Sequence, residues 1–327
     1  MTRKTMFSSV ENNKIRCQLC PQFCLISEGQ LGLCQTRKNI DQQLFAINYG
    51  ETTSIALDPI EKKPLYHFKP GSKILSIGTF GCNMKCSFCQ NYQISQIRAK
   101  SDYIKCDELL RLVDTVENNI GIAFTYNEPF MWYEYIYDMA LNMKAKENDK
   151  SIVMVTNGYI NPKPLEKLLP FIDALNIDLK AFDSRFYREI CKADLEPVLK
   201  TIEIAQKYCH VEVTTLMVTE KNDSIEEIEM IAKYIGKINK NIPLHLTRYY
   251  PNYKMNQQPT KLTKMFEAKE IAQEYLNYVY LGNIPNEDQN TYCPNCHKLV
   301  LDRRQLKKSI LDGNKCLHCG EIIPIVL

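Results

Sequence analysis

Cysteine placement constrains this chain more than any other feature of it. Fourteen cysteines occur, and eleven of them fall into three tight groups: Cys17, Cys20, Cys24 and Cys34; then Cys82, Cys86 and Cys89; then Cys293, Cys296, Cys316 and Cys319. Cys106, Cys191 and Cys209 are scattered and read most simply as small buried hydrophobes. Residues 1–16 are polar and mixed in charge, with no apolar core of a signal peptide. No stretch approaches the ~18 apolar residues of a membrane span. A cytoplasmic chain with no membrane partner is therefore expected. In that reducing compartment, clustered thiols point to metal or redox chemistry rather than to disulfides.

Between the outer groups the sequence alternates short apolar runs with amphipathic stretches of helical length, the pattern of β/α units on a parallel sheet. Strands are expected over Ile74–Phe80, Ile120–Tyr126, Ser151–Thr156, Ala174–Leu179, Val211–Met217 and Pro243–Tyr249, with a seventh at Tyr278–Leu281. Helices are expected over Asp107–Glu117, Phe130–Lys146, Glu196–Tyr208, Ser224–Ile238 and Lys261–Leu276. This predicts an α/β fold, a partial (β/α)6-type TIM barrel, with a doubly wound sheet as the competing arrangement. At 327 residues the chain exceeds what one core usually serves. Three parts are expected: a Cys-rich N-terminal module with a β-rich lead-in over 1–70, a barrel over 71–288, and a metal ribbon over 289–327.

Polar groups follow the expected strands: the three-cysteine loop after the first, Asn127-Glu128-Pro129 after the second and Asn157-Gly158 after the third. Asp178 and Lys180 end the fourth, and His245 and Arg248 lie on the sixth. Each alone reads as a turn or a solvated end, but strand C-termini converge on one mouth in such barrels, so together they mark a candidate site. The loop Cys82-x3-Cys86-x2-Cys89 offers three thiolates. A closed zinc site or a ferredoxin-type cluster asks for four ligands. Three thiolates on a 4Fe-4S cluster leave one iron open for chemistry.

With Phe88 before its last cysteine, this loop resembles the signature of the radical S-adenosylmethionine (SAM) superfamily. The resemblance implies a 4Fe-4S cluster on Cys82, Cys86 and Cys89, with SAM on the open iron. It also implies one-electron cleavage of SAM to methionine and a 5'-deoxyadenosyl radical, and hydrogen abstraction from a substrate that remains to be identified. The enzyme would be an oxidoreductase drawing on an external one-electron reductant of flavodoxin or ferredoxin type. Glu128 occupies the place of the superfamily's Gly-Gly-Glu-Pro motif, which receives the SAM amino group, although Tyr126-Asn127 replaces the two glycines. Phe88, Asn127, Asn157, Asp178, Lys180, His245 and Arg248 are the other candidate cofactor contacts. An iron–sulfur electron carrier is the non-enzyme alternative.

The C-terminal group, two CxxC pairs nineteen residues apart, reads as a structural zinc ribbon, with rubredoxin-type iron as the alternative and His297 and His318 as surface residues. Residues 291–327 hold six Lys or Arg against three Asp or Glu, which accounts for the whole formal charge of +3. Arg303, Arg304, Lys307 and Lys308 could meet a phosphate backbone, yet without interleaved aromatics a solvated hairpin is favoured over nucleic acid. The N-terminal four cysteines suit either a second iron–sulfur cluster or zinc, and spacing leaves both open.

Together with Arg37, Asn39, Leu65-Tyr66-His67-Phe68, Gln90-Asn91-Tyr92, Thr156-Asn157-Gly158-Tyr159 and Tyr280-Leu281-Gly282-Asn283, these groups resemble the radical SAM enzyme of the AmmeMemoRadiSam system. That group is related to pyruvate formate-lyase activating enzymes. The resemblance implies Memo-family and AMMECR-family proteins as partners. It suggests activation of a glycyl-radical enzyme as an alternative activity, while the basic C-terminal ribbon, as a docking element, suggests modification of RNA as another.

Overall fold

The structure, a computed structural model, describes residues 2–146, 149–303 and 311–327. Its centre is an eight-stranded sheet: β1 (Ser54–Pro59), β2 (Lys73–Gly78), β3 (Asn119–Phe124), β4 (Ser151–Thr156), β5 (Ala174–Asp178), β6 (His210–Met217), β7 (Leu244–Arg248) and β8 (Val279–Gly282). The strands lie side by side in chain order, all parallel except β1, which pairs antiparallel with β2. The connections carry α1 (Cys106–Thr115), α2 (Tyr133–Ala145), α3 (Pro162–Leu168), α4 (Glu196–Ala205), α5 (Ile225–Asn239) and α6 (Leu262–Gln273).

Strand alternation separates two faces. Ile122, Phe124, Ile152, Met154, Leu175, Ile177, Val211, Val213, Leu244 and Leu246 share one large core with helix residues such as Leu109, Met139, Ile202, Ile231 and Met265. The opposite face carries Ala123, Val153 and Ala174, covered by Ile60, Leu65 and Phe68 of the lead-in. On β5 to β7 this face is polar, with Asn176, Glu212, Thr214 and His245 buried. A doubly wound sheet reverses its strand order and carries helices on both faces. Here the order never reverses, and the second face is filled by the lead-in. The fold is α/β with a parallel-sheet core.

The five expected helices each form within a few residues of their expected bounds; α5 is capped by Ser224, whose hydroxyl accepts from the Glu227 amide at 3.2 Å. The short elements that were not expected include α3 and the turn of helix over Ser184–Cys191 that ends at Lys192 in the left-handed region. Both begin in loops whose apolar residues are too few to set a period. The lead-in also departs from expectation, because β1 extends the core sheet itself.

Where the strands begin, a buried polar cluster closes the bottom of the second face. The Glu212 carboxylate accepts from the His67 amide at 2.7 Å, and it meets His210 Nε2 at 2.9 Å and His245 Nε2 at 2.6 Å. His67 Nε2 lies 2.7 Å from the Tyr280 hydroxyl. The C-terminal module docks here: Val326 exchanges backbone hydrogen bonds with His67 and Lys69, and Arg303 donates to the Tyr66 carbonyl at 2.6 Å while packing over the Tyr66 and Tyr280 rings. The cation expected on a solvated hairpin is thus turned inward at Arg303. Arg304, Lys307 and Lys308 lie outside the described residues.

Burial is the main cause that pushes His67 down to about 3, with Arg303 and His210 adding to it and Glu212 opposing. The unfolded chain takes up this proton near pH 6.5, whereas the folded chain does so only near pH 3. The contribution to stability is therefore complete above about pH 6.5 and is lost as the pH falls toward 3, at about 1.4 kcal/mol per unit. The unfolding free energy of the wild type, from urea titrations, should fall by about 2 kcal/mol more between pH 6.5 and 5 than that of His67→Gln. Equal losses would remove His67 from the account.

Candidate functional site

At the other end of the sheet, where β2 to β8 finish, the second face opens into a cavity of about 410 Å3, a size within the usual range for small-molecule sites. Cys82, Cys86, Phe88 and Cys89 line it from the loop after β2, and Asn127 and Glu128 from the turn after β3. Asn157 follows β4, Asp178 and Lys180 end β5, and Thr214, Leu216 and Thr247 come from β6 and β7. Lys62, Lys63 and Pro64 contribute from the lead-in.

The three-cysteine loop is held at both ends. Gly81 enters it at φ +92°, and a Cβ there would meet the Cys34 carbonyl at 2.5 Å as well as the Thr36 methyl. Gly81→Ala should therefore cost roughly 1–3 kcal/mol through strain and crowding, readable as a lowered urea midpoint; an unchanged midpoint would show that the loop has room to shift. Asn127 stitches the loop to β3, donating to the Gly81 carbonyl at 2.8 Å and accepting from the Thr79 amide at 3.1 Å. Beyond the last cysteine, Asn91 Nδ2 donates to the Tyr126 carbonyl at 2.6 Å. In the middle, the Lys85 amide donates to the Cys191 carbonyl at 2.7 Å.

Among the described residues, one group of thiols gathers closely enough for a single ion, and it is the C-terminal one. Cys82, Cys86 and Cys89 are spread more widely around the cavity edge. That spread suits a polynuclear cluster, in which each thiolate binds a different metal. Burial raises the pKa of Cys82 and Cys89, and a hydrogen bond with the Cys191 thiol, followed by burial, raises that of Cys86.

Glu128 sits at the centre of the cavity's polar wall. Its carboxylate accepts from the Phe130 amide at 3.0 Å, the Thr156 hydroxyl at 2.7 Å and the Asn157 amide at 2.8 Å. Burial nevertheless raises its pKa to about 7. The site therefore holds a carboxylate that a cationic ligand would favour in its charged form. Asn157 donates toward Cys82 Sγ at 3.6 Å and to Asn83 Oδ1 at 3.0 Å. Lys180 Nζ pairs with Asp178 at 2.8 Å. Burial opposes the Lys180 charge, but Asp178 and Cys86 outweigh it and hold its pKa well above the usual range.

Two expected residues are not brought here. His245 shares its strand face with Thr247 but lies two residues deeper, at the bottom, on Glu212. Arg248 points to the other face, donating to the Thr260 carbonyl at 2.7 Å and the Tyr250 hydroxyl at 3.0 Å. The alternation of a strand explains both outcomes. Conversely, Cys191 is no bystander, since its carbonyl accepts from the Lys85 amide inside the three-cysteine loop and its thiol raises the pKa of Cys86. Tyr126 and Lys63 also join the wall, through hydrogen bonds to Asp58 at 2.8 Å each. No spacing in the sequence pairs Asp58 with Tyr126; the β1–β2 hairpin does.

The C-terminal thiols form a compact set. Cys293 and Cys319 lie 3.5 Å apart, Cys296 and Cys316 3.7 Å apart, and all four fall within 4.8 Å of one another. Sulfurs about 2.3 Å from one tetrahedral ion stand about 3.8 Å apart, so the geometry suits a single metal. His297 and His318 are exposed beside it, as expected. Among the described residues no helix is long and apolar enough to cross a membrane.

Comparison with known proteins agrees with this geometry. Residues 76–235, from β2 into α5, match the family model of the radical SAM superfamily. An uncharacterized protein of Methanocaldococcus jannaschii, MJ0808, is 42% identical over 99% of this chain and 100% of its own length. MJ1632 of the same organism, named as a candidate glycyl-radical enzyme activating enzyme, is 29% identical over 65% of this chain and 82% of its own. Among solved structures, Streptococcus suis SuiB bound to precursor peptide SuiA shares the fold with TM-score 0.51 and 14% identity, over 68% of this chain and 51% of that one. The match spans the end of the strand that feeds the three thiols and runs through β3 to β6, and over these residues the chain carries a radical SAM superfamily domain.

Proposed function

We propose that Cys82, Cys86 and Cys89 hold a 4Fe-4S cluster with one open iron, and that the cavity beside them takes SAM and, farther out, the substrate. The observation that carries this reading is the shared cavity: three thiols too dispersed for one ion face the same space as a buried, cation-seeking carboxylate. When bound, the cluster supplies one electron that cleaves SAM to methionine and a 5'-deoxyadenosyl radical. The chain's own part is positioning and exclusion of water. Glu128 receives the SAM ammonium, Asn157 and the Asp178–Lys180 pair orient its carboxylate and ribose, and Phe88 with Thr214, Leu216 and Thr247 forms the drier wall.

In this reading the chain is an oxidoreductase of the activating-enzyme branch, in a partial barrel over 71–288 flanked by modules over 1–70 and 289–327. Its C-terminal thiols carry structural zinc, and its electrons come from a flavodoxin- or ferredoxin-type protein. Activation of a glycyl-radical enzyme is the substrate reading favoured by the likeness to MJ1632. Membership of the AmmeMemoRadiSam branch, with Memo-family and AMMECR-family partners, is supported by the residues from Cys17 to Asn283 described above. RNA modification loses support because Arg303 is committed to Tyr66 and Tyr280.

The competing electron-carrier reading differs in one observable. SAM added to the dithionite-reduced, reconstituted protein should change the cluster's EPR spectrum through binding at the open iron. An unaltered spectrum at saturating SAM would favour the carrier.

A further inference from the structure

The N-terminal cysteines are the strongest feature that the catalytic reading leaves unused. Cys17, Cys20, Cys24 and Cys34 line a small enclosed cavity, together with Gln22, Arg37, Asn83 and Met131. Three of the four thiols are buried, and Cys24 is half-buried. They come from different places, Cys17 from the end of one strand, Cys20 and Cys24 from the loop after it, and Cys34 from the turn before Arg37–Ile40. Unlike the C-terminal set, they are not gathered within 4.8 Å of one another. A single tetrahedral zinc ion would require such gathering, with sulfurs about 3.8 Å apart.

Arg37 is the second observation. Its guanidinium is 1% exposed and forms an ion pair with Glu134 at 2.9 Å, yet none of its three nitrogens has a hydrogen-bond partner. Its charge is felt by Cys17, Cys34 and Cys20. Glu134 balances the Arg37 charge, but buried guanidinium donors left without acceptors beside four thiols are costly unless a group that accepts hydrogen bonds fills the cavity. Four thiolates around an iron–sulfur core, carrying net negative charge and sulfur acceptors, are such a group.

A third observation concerns what the cage touches. The Asn83 side chain belongs to the catalytic loop and lines the cage cavity, where its Nδ2 donates to the Tyr159 carbonyl at 2.6 Å. Its Oδ1 accepts from Asn157 Nδ2 at 3.0 Å, and the same Nδ2 reaches Cys82 Sγ at 3.6 Å. Asn83, in the cage lining, and Asn157 thus lie between the cage and the Cys82 thiol. Gln22 Nε2, from the cage side, also donates to the Asn83 carbonyl at 3.0 Å.

We propose that Cys17, Cys20, Cys24 and Cys34 form a second iron–sulfur site, a four-iron cluster, linked to the catalytic loop through Asn83 and Asn157. The linkage, though not the cage itself, rests on the reading of Cys82, Cys86 and Cys89 as cluster ligands. Arg37 serves as the cage's hydrogen-bond donor.

The test uses the full chain with Cys82, Cys86 and Cys89 all replaced by alanine, which leaves the cage intact, reconstituted anaerobically with iron and sulfide. About four sulfide ions per chain should be retained, and reduction should give an EPR signal that SAM does not alter. Sulfide distinguishes the cage from any lone iron at the C-terminal thiols. Zinc at the cage with no sulfide would overturn the proposal without touching the catalytic reading. The linkage is read in the fully reduced wild type, where a nearby second paramagnet should broaden the cage signal and raise the microwave power that saturates it. Line width and saturation equal to those of the triple variant would overturn the linkage. In that case a SAM-sensitive signal in the same wild-type sample would show that the catalytic reading still stands.

Discussion

Replacing any one of Cys82, Cys86 and Cys89 by alanine should abolish release of 5'-deoxyadenosine from SAM, while the C-terminal thiols keep their metal. The loop offers three ligands to a cluster that needs all three, and the thiols are too far apart for a neighbour to replace the missing one. Cys191 is the nearest substitute, beside Cys86. It hangs from the turn of helix ending at Lys192 and so faces the loop from the opposite side. Cys86→Ala is therefore the variant in which any rescue would be seen. Product analysis with metal and sulfide counts checks the prediction. A variant that loses the loop's sulfide yet cleaves SAM at the wild-type rate would refute it.

Glu128→Ala should be the most damaging substitution outside the thiols. It strips acceptors from the Phe130 amide, the Thr156 hydroxyl and the Asn157 amide, all buried. At about 1–3 kcal/mol for each of the three orphaned donors, the loss is roughly 3–9 kcal/mol, a large share of a typical domain's stability. Glu128→Gln separates fold from function. It keeps one oxygen for these donors but loses the negative charge, so SAM should bind about tenfold to a hundredfold more weakly, corresponding to about 1.4–2.8 kcal/mol, with a much smaller change in urea midpoint. Calorimetric SAM affinity and denaturation of the two variants test this. Unchanged affinity in Glu128→Gln would remove the ammonium contact.

Much of this architecture was legible in the residues because strands and helices have different periods. Ser151–Thr156 is apolar and β-branched, and it forms a strand with those bounds. The thiols of the central loop and their neighbours at the ends of β3, β4 and β5 were found for the same reason, since each follows directly on a strand. What strand position alone could not provide was depth and side. His245 and Arg248 are three residues apart on β7, and both miss the cavity, one by lying too deep and the other by facing outward. Contacts between distant segments were also hidden. Gln22 to Asn83, Lys85 to Cys191 and Tyr126 to Asp58 join segments from separate parts of the chain. They exist because the N-terminal module, the turn of helix after β5 and the antiparallel edge strand all converge on one loop. The lead-in was read from its short alternating segments as a small β-rich piece ahead of the barrel; in the structure its Ile60, Leu65 and Phe68 fill the lower half of the sheet's second face and leave the upper half open.

The central claim is that the three thiols on this rim support SAM cleavage. It is tested most directly by incubating anaerobically reconstituted wild-type protein with SAM and dithionite and measuring the products by liquid chromatography. The account predicts 5'-deoxyadenosine and methionine in equal amounts, dependent on reductant. Absence of 5'-deoxyadenosine from protein whose loop cluster is verified by iron, sulfide and EPR would contradict it.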